Sequence, residues 1–137
     1  MTESDTTRGS VEAQDVVQLS VPADTAYVSV LRTVTASLAA RRDFTIEEID
    51  DLRIAVDEAS ALLLPLADPG SSLSASFGGR PDELQVMVSV RPAATSGEID
   101  ESGFAWMVLA ALADELTTEL SAGALVLSLV KKRALRG

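Results

Sequence analysis

The sequence contains no cysteine and no histidine among its 137 residues. Without thiols there is no disulfide, no thiol nucleophile and no thiolate metal site. Without imidazole there is no Ser-His-Asp triad, none of the common zinc constellations and no phosphoaccepting histidine. Any catalysis would have to run on carboxylates, hydroxyls, lysine and arginine. Aromatics are scarce as well, with three Phe, one Tyr and one Trp, so the core must be built from Leu, Val, Ile and Ala. Positive charge is in deficit: 11 Lys and Arg stand against 21 Asp and Glu, a formal net charge of −10. No basic face emerges that could follow a phosphate backbone, which argues against direct nucleic-acid binding. The one basic cluster, Lys131-Lys132-Arg133 with Arg136, reads as a solvated tail. Apolar runs such as Ala59 to Ala67 fall far short of the roughly 20 residues a membrane-spanning helix needs.

What is present suits one globular domain with one core: 47% hydrophobic and 23% charged residues in a chain of this length. Residues 1–14 are polar, acidic and aperiodic, without the hydrophobic centre of a signal peptide. They read as a disordered leader, and a cytoplasmic protein is expected. The domain is expected over residues 15–133, with 134–137 as a tail.

Val16 to Val21 reads as a strand stopped by Pro22. Asp24 can cap a helix from Thr25 to about Arg41, with Tyr27, Val30, Leu31, Val34 and Leu38 as its buried stripe. That stripe leaves Arg32, Ser29, Thr33 and Ala36 pointing outward. Thr45 and Glu48 form a capping box for a second helix, whose stripe is Ile49, Leu52, Val56, Ala59 and Leu63. On its outer face Arg53 and Asp57 can pair at i, i+4. Leu73 to Phe77 and Leu84 to Val90 read as a hairpin. Pro92 to Ser102 is a polar loop, and Phe104 to Leu116 a third, well-buried helix. Thr117 to Leu120 and Ala124 to Val130 form a last hairpin turning at Ser121-Ala122-Gly123. This order predicts an α/β two-layer sandwich, helices on one face of a mixed, mostly antiparallel sheet.

Three collinear stretches carry a family resemblance. Asp50-Asp51-Leu52-Arg53-Ile54-Ala55-Val56-Asp57-Glu58-Ala59 resembles the segment opening the ATP-site helix of RsbW and SpoIIAB-type anti-sigma kinases. Leu31-Arg32 falls where those proteins carry a partner-binding arginine. Ser102-Gly103-Phe104-Ala105, with Leu109, Leu112 and Ala113-Asp114-Glu115-Leu116, is similar to their second glycine box and the helix after it. The resemblance in order and spacing of elements spans roughly residues 15–133, and within the family the chain looks most like the degenerate anti-sigma factors of high-GC actinobacteria. The resemblance implies a Bergerat-type ATPase fold, a homodimer, a stress or developmental sigma factor as partner, and release by a STAS-type anti-anti-sigma protein. It also implies ATP and Mg²⁺, with phosphoryl transfer to a serine of the STAS partner.

That chemistry needs a metal to bridge phosphate oxygens, donors to cradle them, and a carboxylate to position the attacking hydroxyl. In the family, the motif Glu-Ala-x-x-Asn supplies the base and the Mg²⁺ ligand. Here Glu58 and Ala59 remain, but the Asn position holds Leu62, which offers no oxygen to a hard cation. The adenine-reading Asp and its glycines are replaced by Val90-Arg91-Pro92-Ala93-Ala94. Pro92 to Ser102 leaves no room for the phosphate lid. The second glycine box keeps Gly103 but has Ala105 for its other glycine, hindering close phosphate approach. Glu58, Leu62 and Gly103 therefore line a vestigial nucleotide site with no cofactor and no metal expected. Trp106 reads as core filler plugging it, and Phe104 and Met107 share that reading. Partner binding falls to Arg32 with Ser29, Thr33 and Ala36. Two alternatives stay open: an ATP-dependent serine protein kinase with Glu58 as base, and an adaptor on the same degenerate scaffold.

Overall fold

A computed structural model describes residues 15–135. The expected leader over 1–14 lies outside the described residues, as does Arg136. Strands β1 (Val17–Pro22), β2 (Ser72–Gly78), β3 (Glu83–Val90), β4 (Glu115–Ser121) and β5 (Ala124–Lys132) form one sheet in the order β1-β2-β3-β5-β4. Every neighbouring pair is antiparallel, so the parallel component of a mixed sheet is not found among these strands. Alternation assigns the faces. Leu84, Val86, Val88 and Val90 of β3 are buried, as are their neighbours Leu73, Ala75 and Phe77 of β2 and Leu127 and Leu129 of β5. Helices α1 (Val28–Arg41), α2 (Ile46–Leu63) and α3 (Phe104–Leu112) belong to the other layer of the expected sandwich. The β4–β5 turn is Ala122-Gly123, with φ of 52° and 79°. Two successive left-handed residues give the turn that matches strand twist, and glycine makes the second one easy.

α1 starts later than its pattern suggests. Asp24 Oδ1 accepts from Ala26 N at 2.9 Å, but Thr25–Tyr27 is a turn of 3₁₀ helix. The buried face is also rotated. Leu31, Thr35 and Ala39 are buried and Val28, Val34 and Leu38 pack beside them, while Tyr27 and Val30 are exposed. Thr35 buries its methyl because its hydroxyl is satisfied by Leu31 O at 2.6 Å. A count of apolar side chains misses a threonine used in this way.

α2 follows its sequence closely. Thr45 Oγ1 accepts from Glu48 N at 3.1 Å and Glu48 Oε1 accepts from Thr45 N at 2.8 Å, the expected capping box. Leu52, Val56, Ala59 and Leu63 are buried, joined by Ala55 and Ser60. α3 is shorter than expected and buries only Leu109. From Glu115 the chain pairs with β5 instead, because strand hydrogen bonds to a central neighbour displace the last helical turn.

The basic cluster near the C-terminus is part of the fold rather than a solvated tail. Lys131 Nζ donates to Leu112 O at 3.1 Å and lies 3.6 Å from Asp51 Oδ2. Arg133 donates through Nη1 to Arg42 O at 2.9 Å and through its backbone N to Asp82 O at 2.7 Å. Ala134 N donates to Glu48 Oε2 at 2.8 Å, so one carboxylate caps α2 and anchors the segment after β5.

Candidate functional site

α2 presents Asp57, Glu58 and Leu62 along one stretch. Asp57 faces α1, where Arg32 Nε lies 2.8 Å from its Oδ1. Both atoms are shut off from water, and the approach is oblique enough that neither counts a well-directed hydrogen bond. Burial pushes the Asp57 carboxyl above its ordinary range, against the pull of the Arg32 and Arg53 guanidiniums. Arg53 does not pair with Asp57 as expected; it turns to Asp50, one turn earlier, at 3.7 Å. Arg32 is therefore already paired within the fold. Ser29 and Thr33 beside it are exposed and Ala36 is half-buried. Thr33 Oγ1 donates back to Ser29 O at 3.0 Å, which keeps that surface flat.

Glu58 and Leu62 lie one turn apart, both half-buried, with Leu62 packed against the core. Gly103 precedes α3 with an extended backbone, φ −88° and ψ −179°, which any residue can adopt. Its reason for being glycine is a neighbour: a Cβ there would come 2.6 Å from Asp100 Oδ2. Asp100 Oδ1 accepts from Ser102 Oγ at 2.8 Å and from Ser102 N at 3.0 Å. These bonds, the hydroxyl's first and then those of the Ser102 and Gly103 backbones, hold the Asp100 carboxyl below its ordinary range. A helix N-terminus attracts anions, and here the chain supplies its own. The sequence reading missed Asp100, although Asp-x-Ser before a helix is a recognisable local turn signature.

The stretch expected to have lost the adenine-reading residues is pinned to the segment that follows α2. Asp68 N donates to Arg91 O at 2.8 Å and Ala93 N to Leu66 O at 2.9 Å, with a bridge between Ala67 and Pro92. Ile99, further along, is buried. Trp106 packs half-buried against the core as expected, but Phe104 and Met107 do not plug anything: they are 75% and 63% exposed. They project from the side of α3 opposite Leu109, which the helix turns inward.

The family resemblance implies ATP and Mg²⁺, and these residues do not fit them. Leu62 offers no metal ligand, the carboxylate of Asp100 sits beside Gly103 at the start of α3, and Arg91-Pro92-Ala93 is tied down by backbone bonds.

Residues 21–131 match the family described as the histidine kinase-like ATPase domain. The chain is 33% identical over 119 residues to the anti-sigma-F factor RsbW of Mycobacterium tuberculosis, spanning 86% of this chain and 70% of that protein. It is 28% identical over 132 residues to the serine-protein kinase RsbW of Bacillus subtilis, covering 82% of each. The fold matches a crystal structure of the RsbU and RsbW domains of a Mycobacterium tuberculosis protein, with a TM-score of 0.64 at 15% identity, over 89% of this chain and 33% of that one. No helix among the described residues is long and apolar enough to cross a membrane. The chain belongs to the histidine kinase-like ATPase domain family and, within it, to the RsbW type.

Proposed function

We propose that the protein is an anti-sigma factor that works by binding alone. It sequesters an alternative sigma factor from RNA polymerase and is countered by a STAS-type anti-anti-sigma protein, as a cytoplasmic homodimer without kinase activity. The observation that carries the loss of catalysis is Leu62, a hydrocarbon at the position of the metal ligand, one turn from the surviving Glu58. Asp100 strengthens it by presenting like charge to any phosphate at the start of α3.

Binding falls to the outer face of α1, where Arg32 stands among small side chains. Asp57 holds the Nε side of its guanidinium and leaves the outer nitrogens for a partner's carboxylates or carbonyls. The net charge of −10 suits a basic partner and speeds encounter. The test is transcription in a purified system with the cognate sigma factor. Added protein should silence the sigma-dependent promoter, the STAS partner should restore it, and neither step should need ATP. A requirement for ATP would favour the kinase alternative, and no effect on transcription would favour the adaptor.

A further inference from the structure

We infer that the outer face of α3 is a second docking surface, for a protein segment whose apolar side chains are flanked by lysines and arginines. From Gly103 to Ala113 the chain carries no charge at all. Phe104, Met107 and Ala111 recur at steps of three and four and share one side of the helix; all three are exposed, as is Ala110. Leu109 faces the core, so the exposed stripe is not a by-product of a misplaced buried face. A contiguous apolar strip on an otherwise charged surface marks a place where another molecule removes it from water.

The ends of the strip decide what that molecule is. Asp100 and Glu101 precede the helix and Asp114 follows it, all exposed. Glu115 beyond it is exposed too but paired with Lys132, so the rim keeps a net negative charge of three carboxylates that bond only to neutral donors. The lysines near its C-terminal end are already engaged, Lys131 by Leu112 O and Asp51, and Lys132 by Glu115. An apolar centre with an acidic rim complements an amphipathic segment with a basic rim. A second copy of this chain docked by this same face would set acidic rim against acidic rim. An anionic lipid surface would be repelled in the same way. The surface is separate from Arg32 and stands whether or not that arginine binds a sigma factor.

The test uses the full chain and a fluorescein-labelled helical peptide with leucines at i, i+3, i+4 and i+7 flanked by lysines, beside a twin with glutamates for the lysines. The lysine peptide should bind and shift Trp106 fluorescence, and the glutamate twin should not bind. Phe104→Ser with Met107→Gln should weaken binding at least about ten-fold, because apolar contact and not charge alone holds the peptide. Ala111→Lys, a single change at an exposed position, should weaken it similarly if the double variant is poorly folded. Arg32→Ala should leave binding within about two-fold, on the additivity expected of separate sites. Unchanged affinity in the α3 variants, or equal binding of both peptides, overturns the proposal. So does sedimentation showing a wild-type dimer that these variants dissociate, since the occupant would then be a second copy.

Discussion

Arg32 Nε and Asp57 Oδ1 stand 2.8 Å apart and join α1 to α2, linking the proposed partner surface to the residue next to Glu58. The two side chains are 38% and 42% exposed, so the pair's own contribution to stability is small, about 0.5 kcal/mol after solvent screening. Its larger role is to orient the guanidinium. Arg32→Ala should cost at least about 2 kcal/mol of sigma-factor binding if the arginine is an anchor removed from water. A rim charge would cost nearer about 0.5 kcal/mol and fade with salt. Calorimetry on the folded variant at two salt concentrations distinguishes the two. Arg32→Lys should not rescue, because an ammonium cannot both meet Asp57 and present a planar fork.

The Asp57 carboxyl gives a pH signature. Burial raises it, so the native state disfavours its charged form. Its contribution to stability therefore falls as pH rises from the unfolded value of 3.8 through the raised native value, and is constant above that. Arg32→Ala removes a stabilising charge and should move the carboxyl further up, widening the window. Carbon-13 titration of the Asp57 carboxyl in both proteins checks this; a value that drops in the variant contradicts the pairing.

Asp100 should behave in the opposite sense. Its carboxyl is lowered by Ser102, so its contribution is complete above 3.8 and is lost as pH falls through the lowered native value. Ser102→Ala should return the carboxyl toward its ordinary range in the same titration. An unmoved value would mean that the Ser102 hydroxyl does not hold it.

Glu48 caps α2 with one oxygen and holds Ala134 with the other. Glu48→Ala should lower the unfolding free energy by roughly 2 kcal/mol, the scale of a lost cap together with a charged hydrogen bond. Ser60 is the converse case. Its hydroxyl is buried without a hydrogen-bond partner, and Ser60→Ala should be neutral or stabilising by up to about 1 kcal/mol. Urea denaturation of the two variants should move the midpoint in opposite directions, or leave it unchanged for Ser60→Ala.

Much of this fold was legible in the residues. The Thr45–Glu48 box, the stripe of α2 and the alternation of β3 are local or strictly periodic signals, and each forms as read. The misreadings came where tertiary contacts outrank local pattern. Thr35 is buried because its hydroxyl folds back on the helix, which rotates the face of α1 away from Tyr27 and Val30. α3 looked buried because it is apolar all round, yet only one side has a layer to pack against. Lys131 and Arg133 looked like a tail because their acceptors, on Leu112 and Arg42, are distant in sequence. At the candidate site Leu62 and Ala105 were visible as departures from a motif, beside the retained Glu58 and Gly103. The Arg32–Asp57 pair was not, since a link between helices leaves no periodic trace.

Phosphoryl transfer tests the central reading most directly. The protein is incubated with radiolabelled ATP, Mg²⁺ and the cognate STAS partner, and the partner is resolved and counted. With Leu62 in place of a metal ligand and the carboxylate of Asp100 at the start of α3, the partner should stay unlabelled while still releasing the sigma factor. Labelling that is clear in the wild type and disappears in Glu58→Ala would contradict the reading and make this chain a serine protein kinase.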